Sequence, residues 1–538
     1  MRRDTSRLES QQFDIAIVGG GMHGAWLALR AAQAGHSVAL VERDDFGAAT
    51  STNSLNILHG GLRYLQHLDF ARMRSSIRAR REFCRLFPHL VEPLPCVMPL
   101  RATGVRSPWI LGPALLLNDL ISADRNTNVD QAARLPAGRL LGGAACRERI
   151  APLAATDAVS GAQWWDAIGL DAARLTLETV EMAVKAGAIV ANRVQALEYL
   201  IGDRKVGGVA VRDRVSQREF EIKASVVVNA TGPWAGELSA VSGLPNSFLP
   251  PGWVGGLNVV LRRSLGIGTA VALSATSKTA DRSAVLQRAT RELFFVPWRG
   301  VTVVGTDYCA IDDVGDAGGP PATAIDRFVA EMASVAPRSG LTVDDVSAVH
   351  WGLLPQEDSG TVLPRKAPIV AAGHAETGVD GLVVVIGEKL TSAPTLSQTV
   401  LGLAERQMAR MGSIRRSSTL SVDSMIVDGR SRDAAMTRYC DADPALRERI
   451  HPDADVIGAE VVHAIREEMA LGLDDLVLRR LGLGHVGHPG IDVLKRCAAV
   501  AAPEFGWGAV EADRAVAELD AWFSRRTRHT TVRGSVNP

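Results

Sequence analysis

An apolar run over residues 13–18 breaks at Gly19-Gly20-Gly21-Met22-His23-Gly24, and helical periodicity then continues to about Gly35. A second apolar run closes on Glu42. Strand, glycine turn, helix and strand in that order predict a βαβ unit. Helical spacing also predicts helices over about 69–87 and 171–186. Strand-like runs cover 188–200, 206–213 and 219–228, the last ending in Asn229-Ala230-Thr231-Gly232. Further strands are expected at 257–261, 292–297, 301–306 and 381–386, and the last leads into Gly387-Glu388-Lys389-Leu390-Thr391-Ser392. Pro93, Pro95, Pro99, Pro108 and Pro113 predict irregular chain between 91 and about 141. Residues 1–12 are polar enough to read as a disordered leader.

This order predicts α/β and α+β architecture: a discontinuous Rossmann-like nucleotide-binding domain, an inserted antiparallel-sheet substrate domain, and a helical C-terminal domain. The nucleotide-binding pieces are placed at 13–90, 160–245 and 355–410, and the substrate or cap domain at 91–159 and 246–354. A polar linker at 411–435 leads to the helical domain at 436–526 and a tail at 527–538.

Composition narrows the function. At 538 residues the chain is too long for one core. Lys+Arg and Asp+Glu are equal at 59 each, which leaves no global field for nucleic acid. The six cysteines form no C-x-x-C pair, so a reducing compartment is expected, with most of them buried. Apolar runs stay below the ~18 residues of a membrane span. The expectation is therefore a cytoplasmic protein, with peripheral contact at the inner face of the cell membrane left open. That contact is suggested by Arg74, Arg78, Arg81 and Arg85 at helical spacing, near the apolar segment 109–117.

In the first motif, Gly19 permits a tight turn, Gly21 admits backbone N–H groups to a pyrophosphate, and Gly24 allows close helix–strand packing. Met22, His23 and Arg43 flank this site, and Glu42 falls where a carboxylate accepts from a ribose diol. A second contacting strand only some 200 residues later, ending in Ala230-Thr231-Gly232, favours noncovalent FAD over a nicotinamide cofactor. Gly387, Lys389, Leu390 and Thr391 form a third contact whose amides can stabilise negative charge on a reduced flavin. Thr50, Ser51, Ser54, Gly60, Gly61 and Val194 complete the expected cofactor set. His485 and His488 lack companion ligands, so no metal is expected.

Several strings resemble the FAD-dependent glycerol-3-phosphate dehydrogenases, within the D-amino-acid-oxidase-like flavoproteins. These are ATSTNSLNILHGGLRYL (49–65), WWDAIGLDAARL (164–175), VVNATGPW (227–234), FFVPW (294–298), GEKLTS (387–392) and REEMALGLDDLVLRRLGLG (466–484). The resemblance implies oxidation of a secondary alcohol in a phosphorylated polyol, with electrons passing to a quinone, oxygen or a protein. A homodimer is compatible with it. It places Arg63, Tyr64 and Lys389 at the substrate phosphate and Arg365 beside the flavin. His59 either donates to the flavin or caps its turn. Asp166, Asp171 and Arg174 read as a structural ion-pair and capping group.

The departures fall at the reacting centre. Gly352-Leu353-Leu354-Pro355 has a leucine where the family has an arginine, and Leu257-Asn258 replaces Ser-His, leaving Asn258 as the substrate-side group. Leu55-Asn56 replaces Ser-Lys, and Gly305-Thr306-Asp307-Tyr308 replaces Gly-Thr-Thr-Asp. His350 is a candidate replacement base. The sequence therefore favours a phosphorylated polyol or sugar-derived substrate other than glycerol 3-phosphate. Ordinary glycerol-3-phosphate dehydrogenase and a non-catalytic flavin-binding partner protein are the alternatives.

Overall fold

The computed structural model describes residues 1–276, 290–311, 314, 319–412, 429–452 and 455–526. The expected tail at 527–538 and most of the expected linker lie outside them. Strand Gln12–Val18 occupies the middle of an eight-stranded sheet, between Val38–Val41 and Glu219–Asn229. Strand Leu382–Ile386 lies beyond Glu219–Asn229 and is parallel to it. These strands are almost wholly apolar because both faces are covered. Helix Met22–Gln33 packs against Ala172–Lys185 on one side and Ala393–Arg410 on the other.

The second sheet has nine strands, in the order 346–355, 253–261, 301–310, 290–298, 270–276, 91–100, 160–169 and 57–58, with 139–142 paired to 160–169. Its pairs are antiparallel except that between Ala270–Thr276 and Val91–Leu100. The expected architecture of Rossmann-like sheet, inserted antiparallel sheet and C-terminal helices is present.

Two segments expected to lack regular structure have it. Val91–Leu100 is a strand despite three prolines. Carbonyls of Leu90 and Leu100 accept from Leu170 and Val159, so even positions face the neighbouring strand Ser160–Gly169. Pro93, Pro95 and Pro99 share the other parity, where pairing is limited to Cys96 and Val97. Their missing N–H groups thus interrupt little of the ladder. Pro108 then starts helix Pro108–Ile121, where a missing N–H costs nothing.

The expected leader is also ordered. Asp4 caps helix Thr5–Ser10, Leu8 is buried, and Arg3 pairs with Asp213. One buried leucine and two ion pairs, Arg3 with Asp213 and Glu9 with Arg218, hold a segment whose composition alone suggests disorder. Helix Gly429–Ala442 begins inside the expected linker.

The C-terminal helices grip the nucleotide-binding sheet through buried charges. Arg480 donates to both oxygens of Asp45 at 2.8 and 2.9 Å, and Arg479 donates to the same carboxylate at 2.7 Å. Burial alone would push Asp45 upward, but the two guanidiniums hold it well below the usual carboxylate range. Arg174 pairs with Glu468, Asp171 caps its helix at Arg174 N, and Asp166 pairs with Arg80. The expected capping contact is present between Asp171 and Arg174, while the ion pairs of Arg174 and Asp166 go to Glu468 and Arg80 instead of to each other. All six cysteines are buried and unbridged.

Candidate active site

The parallel strands end together: Val18 is level with Val41 and Asn229, and Asn229 with Val384. This brings the three expected cofactor segments to one sheet edge, where α/β folds hold ligands. Gly19, Gly21, Met22, His23, Ala230, Thr231, Gly232, Gly387, Lys389, Leu390 and Thr391 all line a cleft of about 2160 Å³.

Gly19 has φ +109°, and a Cβ there would meet Ala230 O at 2.6 Å. A Cβ on Gly24 would stand 1.9 Å from Gly19 O. Gly21 caps helix Met22–Gln33, whose first amides face the cleft, and Ser51 Oγ accepts from Met22 N at 2.9 Å. His23 lies 3.3 Å from Ser392 Oγ, against Gly387, where a Cβ would come within 2.0 Å of the ring. It clamps the first segment to the third, a role its neighbours in sequence do not reveal.

Glu42 is spent in part on its own turn, with Oε2 accepting from Gly20 N at 2.7 Å and Oε1 from Asp44 N at 2.9 Å. Burial raises its carboxyl above the usual carboxylate range, and the two amide bonds offset only part of that rise. The remaining lone pairs are left for a ribose. Nearby, Arg43 lies over Trp234 with 4.4 Å to the ring centroid, and Val194 donates to Glu42 O at 2.8 Å. Among the hydroxyls expected at the cofactor, only Ser51 braces the phosphate turn. Thr50 bonds both backbone groups of Leu353, and Ser54 Oγ is taken up by Asn56.

The HGG turn brings distant residues together. Gly60 N donates to Asp166 Oδ1 at 2.6 Å, and the same oxygen accepts from Arg80. Gly61, at φ +82°, starts the 3-10 helix Leu62–His67. Tyr64 thereby meets Lys389, whose Nζ donates to Tyr64 Oη at 2.8 Å across 325 residues of sequence. Arg63 is exposed and makes no ion pair or hydrogen bond with any described residue. Burial, followed by the charges of Lys389, Arg63 and Arg80, pushes His59 well below the usual histidine range. Its ring is therefore neutral at physiological pH.

On the opposite wall, Asn258 Oδ1 accepts from Thr306 Oγ1 at 2.7 Å, and Leu354 and Arg365 face the cleft. His350 does not. Its Nδ1 is 3.1 Å from Ser54 O and its Nε2 3.2 Å from His485 O, with Trp298 packed edge-on against the ring. The expectation of His350 as a base is corrected: it lies away from the cleft with both nitrogens facing backbone carbonyls, and burial depresses its basicity more than those carbonyls restore it. Glu292 lines the cleft without having been singled out in the sequence, and Tyr308, read there only as part of the departing string 305–308, lines it too.

The walls fit a large, polar, planar cofactor. His59 Nδ1, Arg365 Nε and Thr391 Oγ1 are buried without partners, an arrangement that native folds otherwise avoid. With the glycine cradle and Arg43 over Trp234, these atoms suit noncovalent FAD running from the Arg43 end towards Lys389.

Residues 14–400 match the family model described as FAD dependent oxidoreductase, and residues 430–512 match the C-terminal domain of alpha-glycerophosphate oxidase. Glycerol-3-phosphate dehydrogenase 2 of Mycobacterium bovis is 28% identical over 96% of this chain and 88% of its own. Glycerol-3-phosphate dehydrogenase of Synechocystis is 27% identical over 97% of this chain and 98% of its own. The structure of glycerol-3-phosphate dehydrogenase from Bacillus halodurans, complexed with FAD, matches the fold with a TM-score of 0.68. Its identity is 19%, and the match covers 99% of this chain and 98% of that one. The glycine cradle, the unpartnered polar atoms around it and these matches lead to one conclusion: the chain belongs to the FAD dependent oxidoreductase family, as a homologue of the glycerol-3-phosphate dehydrogenases.

Proposed function

We propose that this enzyme oxidises the secondary hydroxyl of glycerol 3-phosphate. The observation that carries the reading is the Tyr64–Lys389 contact with unpaired Arg63 beside it in the same cleft. Bound FAD supplies the two-electron acceptor. Arg63 provides the phosphate with a guanidinium that forms no ion pair with any described residue, although the Glu292 carboxylate lies within its field. Lys389 Nζ, which donates to Tyr64 Oη, would also hydrogen-bond the alcohol oxygen. His59 starts neutral with its Nδ1 unpartnered among the described residues, and would accept the proton that oxygen gives up as the hydride passes to the flavin. The long relatives named glycerol-3-phosphate dehydrogenase support this substrate.

A second reading, a different polyol phosphate, is favoured by Leu354 and Asn258 on the substrate wall. Anaerobic mixing with each candidate separates the two. Glycerol 3-phosphate is expected to bleach the flavin absorbance at the highest rate. Faster bleaching by another polyol phosphate would transfer the assignment to that compound. No bleaching by any of them would mean that the protein binds flavin without turning over.

We further propose that the protein rests peripherally on an anionic membrane surface. In helix Pro108–Ile121, Trp109 is 85% exposed, Leu116 63% and Leu120 66%, while Ile110, Leu111 and Ala114 line the cleft. The basic face expected on helix Phe70–Leu86 is weaker than its sequence suggests, because Arg74 and Arg81 both bond Asp124. Burying large apolar side chains is worth roughly 1.5–3 kcal/mol each. Changing Trp109, Leu116 and Leu120 together to Asp should cut co-sedimentation with phosphatidylglycerol vesicles at least tenfold. Equal sedimentation of the natural and altered proteins would rule this surface out.

A further inference from the structure

Tyr308 and Leu354 share a hollow on the substrate wall. Strand Val301–Ala310 places Tyr308 opposite Gly256, and strand Val346–Pro355 places Gly352 opposite the same glycine. A Cβ on Gly256 would have Leu354 Cδ1 at 3.4 Å and Tyr308 Cε1 at 3.6 Å. The glycine therefore leaves room for the phenol ring and the leucine to lie over the strand, and both line the cleft.

The ring is fixed by this packing, but its hydroxyl is not engaged. No described residue hydrogen-bonds the Tyr308 phenol oxygen, and none pairs with Arg63. Burial raises the phenol above its ordinary range and the charge of Arg63 opposes that rise, so the group is a neutral donor within reach of the guanidinium's field. The nearby carboxylate Glu292 pairs with Arg106, its other oxygen is buried without a partner among the described residues, and it too lies in the field of Arg63. Around Tyr308, the Arg63 guanidinium and the phenol are donors that no described residue engages. Two such donors suit an oxyanion better than a hydroxyl that must itself donate.

We propose that Tyr308 is a specificity-determining residue whose hydroxyl donates to the substrate phosphate from the sheet wall while Arg63 holds it from the HGG turn. This rests on the phosphorylated-substrate reading given above. Leu354, packed beside the phenol, excludes water from that side of the phosphate and strengthens both contacts.

Tyr308→Phe tests this directly, because the ring keeps its packing over Gly256 and only the donor is lost. In the FAD-loaded protein, binding of dihydroxyacetone phosphate is read from the perturbed flavin spectrum, with unphosphorylated dihydroxyacetone as the paired ligand. The expected result is a Kd about tenfold higher for the phosphorylated ligand, as for one hydrogen bond to a charged group. The unphosphorylated ligand should be unaffected. Unchanged binding of dihydroxyacetone phosphate would overturn the role of Tyr308 while leaving the phosphorylated-substrate reading intact. Equal weakening of both ligands would also overturn it, since the phenol would then act on the site as a whole. Failure of the natural protein to bind either that ligand or glycerol 3-phosphate would remove the substrate reading itself, and this proposal with it.

Discussion

Gly24→Ala protein should purify nearly colourless. The added methyl would stand 1.9 Å from Gly19 O, a backbone atom with little freedom to retreat. Gly19 N is tied to Val41 O at 2.8 Å, and Ala230 N to Val18 O at 2.8 Å, so the turn is pinned from both neighbouring strands. Relief requires helix Met22–Gln33 to lift away from the sheet, which carries its N-terminal amides away from the pyrophosphate. Overpacking of this kind costs about 1–3 kcal/mol or more. Together with the displaced amides, it should weaken FAD binding at least a hundredfold. Flavin absorbance relative to protein absorbance, followed by FAD titration of the apoprotein, measures the loss. Gly142→Ala is the matched control, since a Cβ there meets nothing within 4 Å and its φ is −61°. A Gly24→Ala protein with full flavin content would count against the cradle.

That turn was legible because its demands are local. Glycines at fixed offsets between a strand and a helix leave few alternatives, and Asp69 and Asp171 mark their helix starts just as plainly, each accepting from the amide three residues on. The HGG and GEK strings were likewise readable, but their meeting was not a property of either string. It follows from the sheet order, which places strand Leu382–Ile386 two strands from Gln12–Val18. Where the reading failed, the deciding information lay in registry or in distant partners. The prolines of strand Val91–Leu100 are tolerated through their shared parity, and a count of prolines does not register parity. His350 looked available as a base because sequence does not show the carbonyls of Ser54 and His485 closing on its ring. Tyr308 stands in the sequence as a departure from Gly-Thr-Thr-Asp, but its place over Gly256 is set by the pairing of two strands.

The same distinction governs the electrostatics. Asp45 appears in sequence as an ordinary loop acid, yet Arg479 and Arg480, more than 430 residues away, bury it and anchor the loop that follows Glu42. The C-terminal helices thereby help shape the cofactor site without lining most of it. Breaking such a buried pair from one side leaves an uncompensated charge, so these residues are poor probes of chemistry. Informative substitutions are those at groups whose surroundings do not depend on them.

Arg63 is such a group, and Arg63→Gln should produce the largest loss of activity that leaves the fold unchanged. The guanidinium is exposed in the cleft and makes no contact that holds a described element in place. Flavin content and melting temperature should therefore match those of the natural protein. Removing one side of a hydrogen-bonded charge pair in a shielded site costs about 2–5 kcal/mol. At ~1.4 kcal/mol per factor of ten, the middle of that range lowers kcat/KM for glycerol 3-phosphate by about two and a half orders of magnitude. Part of the loss should appear in kcat, because phosphate held away from the flavin is the handle that aligns the reacting carbon. Arg63→Lys should recover some affinity through its charge but less of the rate, since an ammonium lacks the planar fork. Glycerol, which offers no phosphate, should react equally slowly with all three proteins. Anaerobic flavin-reduction rates across a substrate titration separate binding from chemistry. A loss of less than threefold for Arg63→Gln, with intact flavin, would place the phosphate elsewhere in the cleft and leave Arg63 as a solvent-facing cation.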